Sequence, residues 1–240
     1  MKIRRAGRVL RTILTVNGSV KENDLERSLK SPLAHPARRS ILELISAYPC
    51  ISPSALGRHA ALSPPSIAFH TSKLISSGYI IRKPLGSGCV FYIPEVLEPE
   101  DIPRLAILSD EDTLKCLKSV VGSPGIEQSE ISHRAGIDYQ AAVRRLRILA
   151  GMGYIKSVRD GIKNRLFPTR LAEDRRRSLT LRAKVAADSI LAIMESEALA
   201  PKAVRRRPEH LIVVISIAGE KHSLTIHTDA YGAVLDAPLD

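Results

Sequence analysis

Between residues 36 and 93 the spacing of apolar positions switches from helical to extended. Pro36 follows His35 and opens a run with Ala37, Ile41, Leu44 and Ile45 on one face, the pattern of an amphipathic helix ending near Tyr48-Pro49. Ser52-Pro53 has the cap-then-proline form of a helix start and carries Ala55, Leu56 and Ala60 inward. Ser63-Pro64 repeats that signal and begins a third helix with Ile67, Thr71, Leu74 and Ile75 together. Gly78 stops it, since a helix commonly ends on a left-handed residue that glycine adopts at least cost. From Tyr79 the period shortens to two extended runs, 79–83 and 89–93, around the Pro84–Gly88 turn, which predicts a hairpin.

The same pattern returns at an offset of 75, so that residues 41–86 align without a gap on 116–161. Identical pairs include Pro49 with Pro124, Ser54 with Ser129, Leu74 with Leu149, Gly78 with Gly153, Tyr79 with Tyr154 and Gly86 with Gly161. In the second copy Ser109 and Asp112 form a capping box, Asp138 caps a helix with Ala142, Leu146 and Leu149 inward, and Asp160-Gly161 marks the hairpin turn. Helix, helix, helix, hairpin in about 55 residues is the order of a winged helix-turn-helix.

Beyond the repeat, residues 171–199 contain neither Pro nor Gly and place Leu179, Ala183, Ala186, Ile190 and Ile193 on one stripe. That stripe suits a partner helix in a homodimer, or packing against the chain's own modules. Residues 211–228 read as a hairpin around Gly219-Glu220, with Ile217 facing His222. The expected fold class is mainly α with small β-hairpins (α+β). Its expected organisation is a basic extension over 1–30, one winged helix over 31–95, a second over 105–169, a long helix over 170–200 and a hairpin region over 208–240.

Composition narrows the partner. The chain has 240 residues and a formal charge of +11, with 44% hydrophobic and 25% charged residues, as in soluble globular proteins. Its first 95 residues hold 14 Lys and Arg against 5 Asp and Glu. Such a balance favours an acidic partner, nucleic acid before an anionic membrane surface. Lys2, Arg4, Arg5, Arg8 and Arg11 form an acid-free arm, and Arg175–Arg177 and Arg205–Arg207 form two short runs of the kind that lie along phosphates or in solvent. Cys50, Cys89 and Cys116 are odd in number and far apart, which builds no disulfide framework and fits a reducing cytoplasm; Cys89, near the first wing tip, is the best placed for redox sensing. No apolar run is long enough to span a bilayer. No phosphate-cradling glycine loop or catalytic constellation is visible, so an enzyme is the least supported class and no cofactor is expected.

The segment Leu33–Ile45, with His35-Pro36-Ala37-Arg38-Arg39, followed by Ser66–Leu74 and Gly78-Tyr79-Ile80, closely resembles the first and third helices of ArsR-like winged-helix regulators. The resemblance covers about residues 31–94 and implies a DNA-binding, commonly dimeric regulator whose third helix reads DNA, with His70 on the family's recurrent histidine. Many members sense metals through Cys-x-Cys on the second helix or through His and Asp on a later one. Here the second helix reads Ala55-Leu56-Gly57-Arg58-His59 and the helix after Phe167 has no histidine, so no metal site is carried over. The tandem arrangement looks more like two-winged-helix regulators, archaeal ones among them.

A recognition helix turns its apolar face to the core and its other face to the major groove. Over 63–77 the outward set is Pro65, Ser66, Phe69, His70 and Lys73, with a structural role for Phe69 as the alternative. Over 138–151 it is Gln140, Arg144 and Arg147, with Arg145 on the flank; these arginines suit guanine edges or phosphates. The wings add Arg82 and Lys83, then Lys156, Arg159, Lys163 and Arg165, along one basic ribbon each. The expectation is a transcriptional regulator that binds double-stranded DNA through both modules, with its effector unknown. The alternative is a winged-helix interaction scaffold, because the fold does not determine the function.

Overall fold

A computed structural model describes residues 22–207 and 209–236; the basic arm from Lys2 to Arg11 lies outside them. The chain begins with α1 (Glu22–Lys30) and a 3₁₀ turn (Pro32–Ala34), then runs α2 (Pro36–Ala47), α3 (Pro53–Ala60), α4 (Pro64–Ser76), β1 (Ile81–Leu85) and β2 (Gly88–Tyr92). Helix α5 (Asp101–Leu108) leads into α6 (Glu111–Gly122), β3 (Ile126–Glu127), α7 (Gln128–Ala135), α8 (Tyr139–Gly151), β4 (Ile155–Asp160) and β5 (Lys163–Pro168). The remainder is α9 (Leu171–Ser178), α10 (Thr180–Ser196), β6 (Lys202–Arg206), β7 (His210–Ile217), β8 (Glu220–His227) and α11 (Ala230–Leu235). Three small antiparallel sheets result, ordered β1-β2, β3-β5-β4 and β6-β7-β8.

Local chemistry explains the helix limits. Ser52 Oγ accepts from the Ala55 amide and Ser63 Oγ from the Ser66 amide, each followed by proline at the first helical position. Asp138 performs the same task for Ala141. For α6 the cap is Asp110 rather than Ser109: its carboxylate accepts from the Thr113 amide and hydroxyl, so the expected Ser109–Asp112 box is displaced by one residue. The limits of α2, α3 and α4 recur in α6, α7 and α8 at the same offset of 75. Positive φ values recur with them: Ala61 at 51° against Gly136 at 65°, and Gly78 at 80° against Gly153 at 85°.

One apolar core runs through both units and into the C-terminal sheet, drawing Leu42, Ile45 and Leu74 together with Leu117, Leu146, Ile190, Val213 and Ile226. Covering of the third sheet is partly polar. On α2, Glu43 accepts from the Thr225 amide at 2.8 Å and Ser46 from the His227 amide at 3.0 Å, so the outer edge of β8 finds acceptors on a helix.

Three features of the C-terminal region differ from expectation. The long helix of 170–200 is two helices, α9 and α10, that meet at the buried Leu179. Its apolar stripe is spent inside the chain: Ala183, Ala186, Ala187, Ile190 and Met194 are buried, so those residues offer no seam for a second copy. The C-terminal hairpin is a three-stranded sheet, because β6 adds to β7, and its register pairs Ile217 with Glu220 and Ile215 with His222, two residues from the expected alignment. Ala218 and Gly219 both have positive φ, as the two central residues of a type I′ turn require. That turn moves the register, while a two-residue slip leaves the same side chains on the core face.

Candidate nucleic-acid interface

Helix α4 buries Ile67, His70, Thr71 and Leu74 and exposes Phe69 and Lys73, Phe69 by 55%. His70 was expected outward; at 8% exposure it sits in the interior, because its place three residues after Ile67 and four before Leu74 puts it on the buried stripe. Its ring lies 4.8 Å from that of His35, the N-cap of α2. Burial, with His35 and Arg38 nearby, pushes its pKa down and favours a neutral imidazole. Ser66 is half-buried and its hydroxyl is 2.9 Å from that of Ser63, so it belongs to the cap.

Helix α8 divides its three arginines between two directions. Gln140, Arg144 and Arg147 are exposed at i, i+4 and i+7 and form no hydrogen bond or ion pair among the described residues. Arg145, one residue round, points to the start of α6, with Nε 2.9 Å from Asp110 and Nη2 2.7 Å from Asp112. Burial alone would raise the Asp110 pKa, but hydrogen bonds from Thr113 and Arg145 outweigh it and hold the carboxyl below its usual range. Arg145 thus joins two helices of its own unit instead of standing ready for DNA.

The wings are less uniformly basic than expected. Arg82 is exposed while Lys83 is half-buried. Arg82 Nε donates to Cys89 Sγ at 3.1 Å. In the second hairpin Lys163 pairs with Glu127 at 2.6 Å and Arg165 with Asp160 at 2.6 Å, while Arg159 donates to the Gly161 carbonyl. Lys156 is exposed and forms no hydrogen bond or ion pair among the described residues. The Arg175 and Arg176 of the first short basic run are likewise engaged, with Glu98, Glu100 and Asp101 and with Asp229 and Asp236, and Arg206 of the second pairs with Asp188.

Exposed apolar side chains accompany the free cations on the second unit: Tyr139 at the start of α8, Ile148 near its end, Val158 on β4 and Ile162 at the wing tip. The repeat holds the signal for them, since Pro64, Lys73, Lys83 and Ser87 occupy the matching positions of the first unit. No group of three or more metal-ligating side chains occurs among the described residues, and none of their helices is long and apolar enough to cross a membrane.

No curated protein matches the chain. Among solved structures it is similar to ScpB from Mycobacterium tuberculosis, at 17% identity and a TM-score of 0.24 over 57% of this chain and 93% of that one. It is also similar to IdeR from T. acidophilum, at 15% identity and a TM-score of 0.20 over 90% of this chain and 97% of that one. The family described as winged helix-turn-helix DNA-binding matches residues 35–81, the span from the cap of α2 to the start of β1. The chain therefore carries a winged helix-turn-helix DNA-binding domain in its N-terminal half.

Proposed function

We propose that the protein is a DNA-binding transcriptional regulator in which residues 105–169 act as a second winged helix beside the first. The observation that carries this reading is the free, outward row Gln140, Arg144 and Arg147 on α8, a helix whose limits lie 75 residues beyond those of α4. Two arginines and an amide one helical turn apart suit the donor and acceptor edges of the major groove. Phe69 and Lys73 on α4 supply an apolar and a phosphate contact, and Arg82 and Lys156 extend contact along the wings. The different outward residues of the two units give them different parts in one interface.

Duplex binding measured by fluorescence anisotropy against salt tests the proposal. With about six phosphate contacts, affinity falls roughly a thousandfold between 50 and 200 mM salt. Absence of binding by the full chain at 50 mM overturns it. The scaffold alternative then stands, favoured by the exposed Tyr139, Ile148, Val158 and Ile162 that interrupt the basic surface of the second unit.

A further inference from the structure

An apolar groove of about 700 Å³ opens on the first winged helix between α3, α4 and the wing. Leu62, Ala68, Ile75 and Phe91 line it, and Arg58 and Arg82 are exposed at its margin. No carboxylate lines it. Arg58 forms no hydrogen bond or ion pair among the described residues, and Arg82 gives only its Nε, to Cys89. Two guanidiniums beside an apolar floor, with no acid to neutralise them, make a site complementary to an anion that brings an apolar body.

We propose that this groove binds a small amphipathic monocarboxylate, with the carboxylate between Arg58 and Arg82 and the apolar portion over Ala68 and Ile75. Phosphate contact alone would use the two arginines and leave the apolar floor in water. A carboxylate with an aliphatic or aryl body uses both. The second unit is not built the same way: Tyr139, Val143 and Leu146 stand where the first has Pro64, Ala68 and Thr71, and His133 and Ser157 stand in place of Arg58 and Arg82. The charge pair that would hold the carboxylate is gone there, so the ligand is specific to the first unit. Because α4 and Arg82 also belong to the proposed DNA interface, occupancy of the groove and DNA contact exclude one another. Only this last consequence rests on the DNA-binding reading.

Isothermal titration calorimetry of the full chain without DNA tests the site, using decanoate and 1-naphthoate as flexible and aryl probes and 1-decanol as the uncharged control. One saturable site for at least one carboxylate is expected, and the probe that saturates identifies the body the groove accepts. For decanoate, decanol should bind at least tenfold more weakly. R58Q/R82Q should weaken binding of the carboxylate at least tenfold, and A68F, at an exposed position, should abolish it with an unchanged melting profile. Saturation by neither carboxylate, or wild-type binding by A68F, overturns the site. Adding the bound carboxylate to a preformed DNA complex should then release DNA; unchanged anisotropy overturns the competition and leaves the site standing. Absence of DNA binding from the start refutes the DNA reading instead, so the three failures are distinguishable.

Discussion

Asp101 and Arg175, 74 positions apart, meet in a two-point ion pair, Nε to Oδ1 and Nη2 to Oδ2, both at 2.8 Å. Asp101 is fully buried and also accepts from Tyr231 Oη at 2.9 Å and from the Glu98 amide at 3.1 Å. One carboxylate therefore ties α5 to both α9 and α11, and its hydrogen-bond capacity is met from three directions. A buried charge left without its partner is costly, commonly 3–5 kcal/mol. Arg175→Met should destabilise the protein by about 3 kcal/mol in urea unfolding. A midpoint shift worth less than about 1 kcal/mol would refute the role assigned to this pair.

Neighbouring arginines on α8 should separate stability from binding. Arg145→Ala removes contacts to Asp110 and Asp112 that are partly open to solvent, so a loss of about 1 kcal/mol in stability is expected, with DNA affinity changed less than about threefold. Arg144→Ala/Arg147→Ala should do the reverse: an unchanged melting temperature and affinity for duplex DNA reduced by about tenfold or more. Paired melting and anisotropy measurements on both variants decide it, and the opposite allocation would place the DNA-facing side of α8 at Arg145.

Acidification should destabilise the fold through two histidines. Burial, with His35 and Arg38 close by, lowers the pKa of His70; burial, with His210 nearby, lowers that of His227. Both groups bind protons more readily in the unfolded chain, so stability present at neutral pH is lost as pH falls through the unfolded value of about 6.5. Thermal unfolding should occur at a lower temperature at pH 5.5 than at pH 7.5. H70Q/H227Q should show a smaller difference between the two, and an undiminished difference would place the titration elsewhere.

Ala61 holds a left-handed conformation, φ 51° and ψ 42°, at the end of α3, where its repeat mate is Gly136. An alanine in that region carries roughly 1–2 kcal/mol of steric cost, partly offset by the greater unfolded-chain entropy of glycine. Ala61→Gly should raise stability by about 0.5 kcal/mol and Gly136→Ala should lower it by about 1 kcal/mol. Chemical denaturation of the two variants compares the units directly; stabilisation by Gly136→Ala would contradict the backbone reading.

Caps and stops were legible in the sequence because they act over a few residues. Ser52, Ser63 and Asp138 accept from amides within three positions of themselves, and Gly78 and Gly153 end helices by their own backbone freedom. Features that depend on partners distant in sequence were not. Strand β6 has little apolar content and forms by adding to β7, and its residues are exposed throughout. The stripe on α10 had the correct spacing but no address, since a helical face carries the same pattern whether it meets another chain or its own.

The candidate interface divides in the same way. Period and punctuation in the sequence alone determined three helices and a hairpin, twice, and located α4 and α8 as the helices with an outward face. Tertiary structure decided which side chains on those faces are available. Arg144 and Arg145 are adjacent and chemically identical, yet only the second finds Asp110 and Asp112 within reach. His70 faces His35 because α2 packs beside α4. A cation's freedom is set by carboxylates brought close through folding, and that proximity is a property of the packed core rather than of any local run of residues.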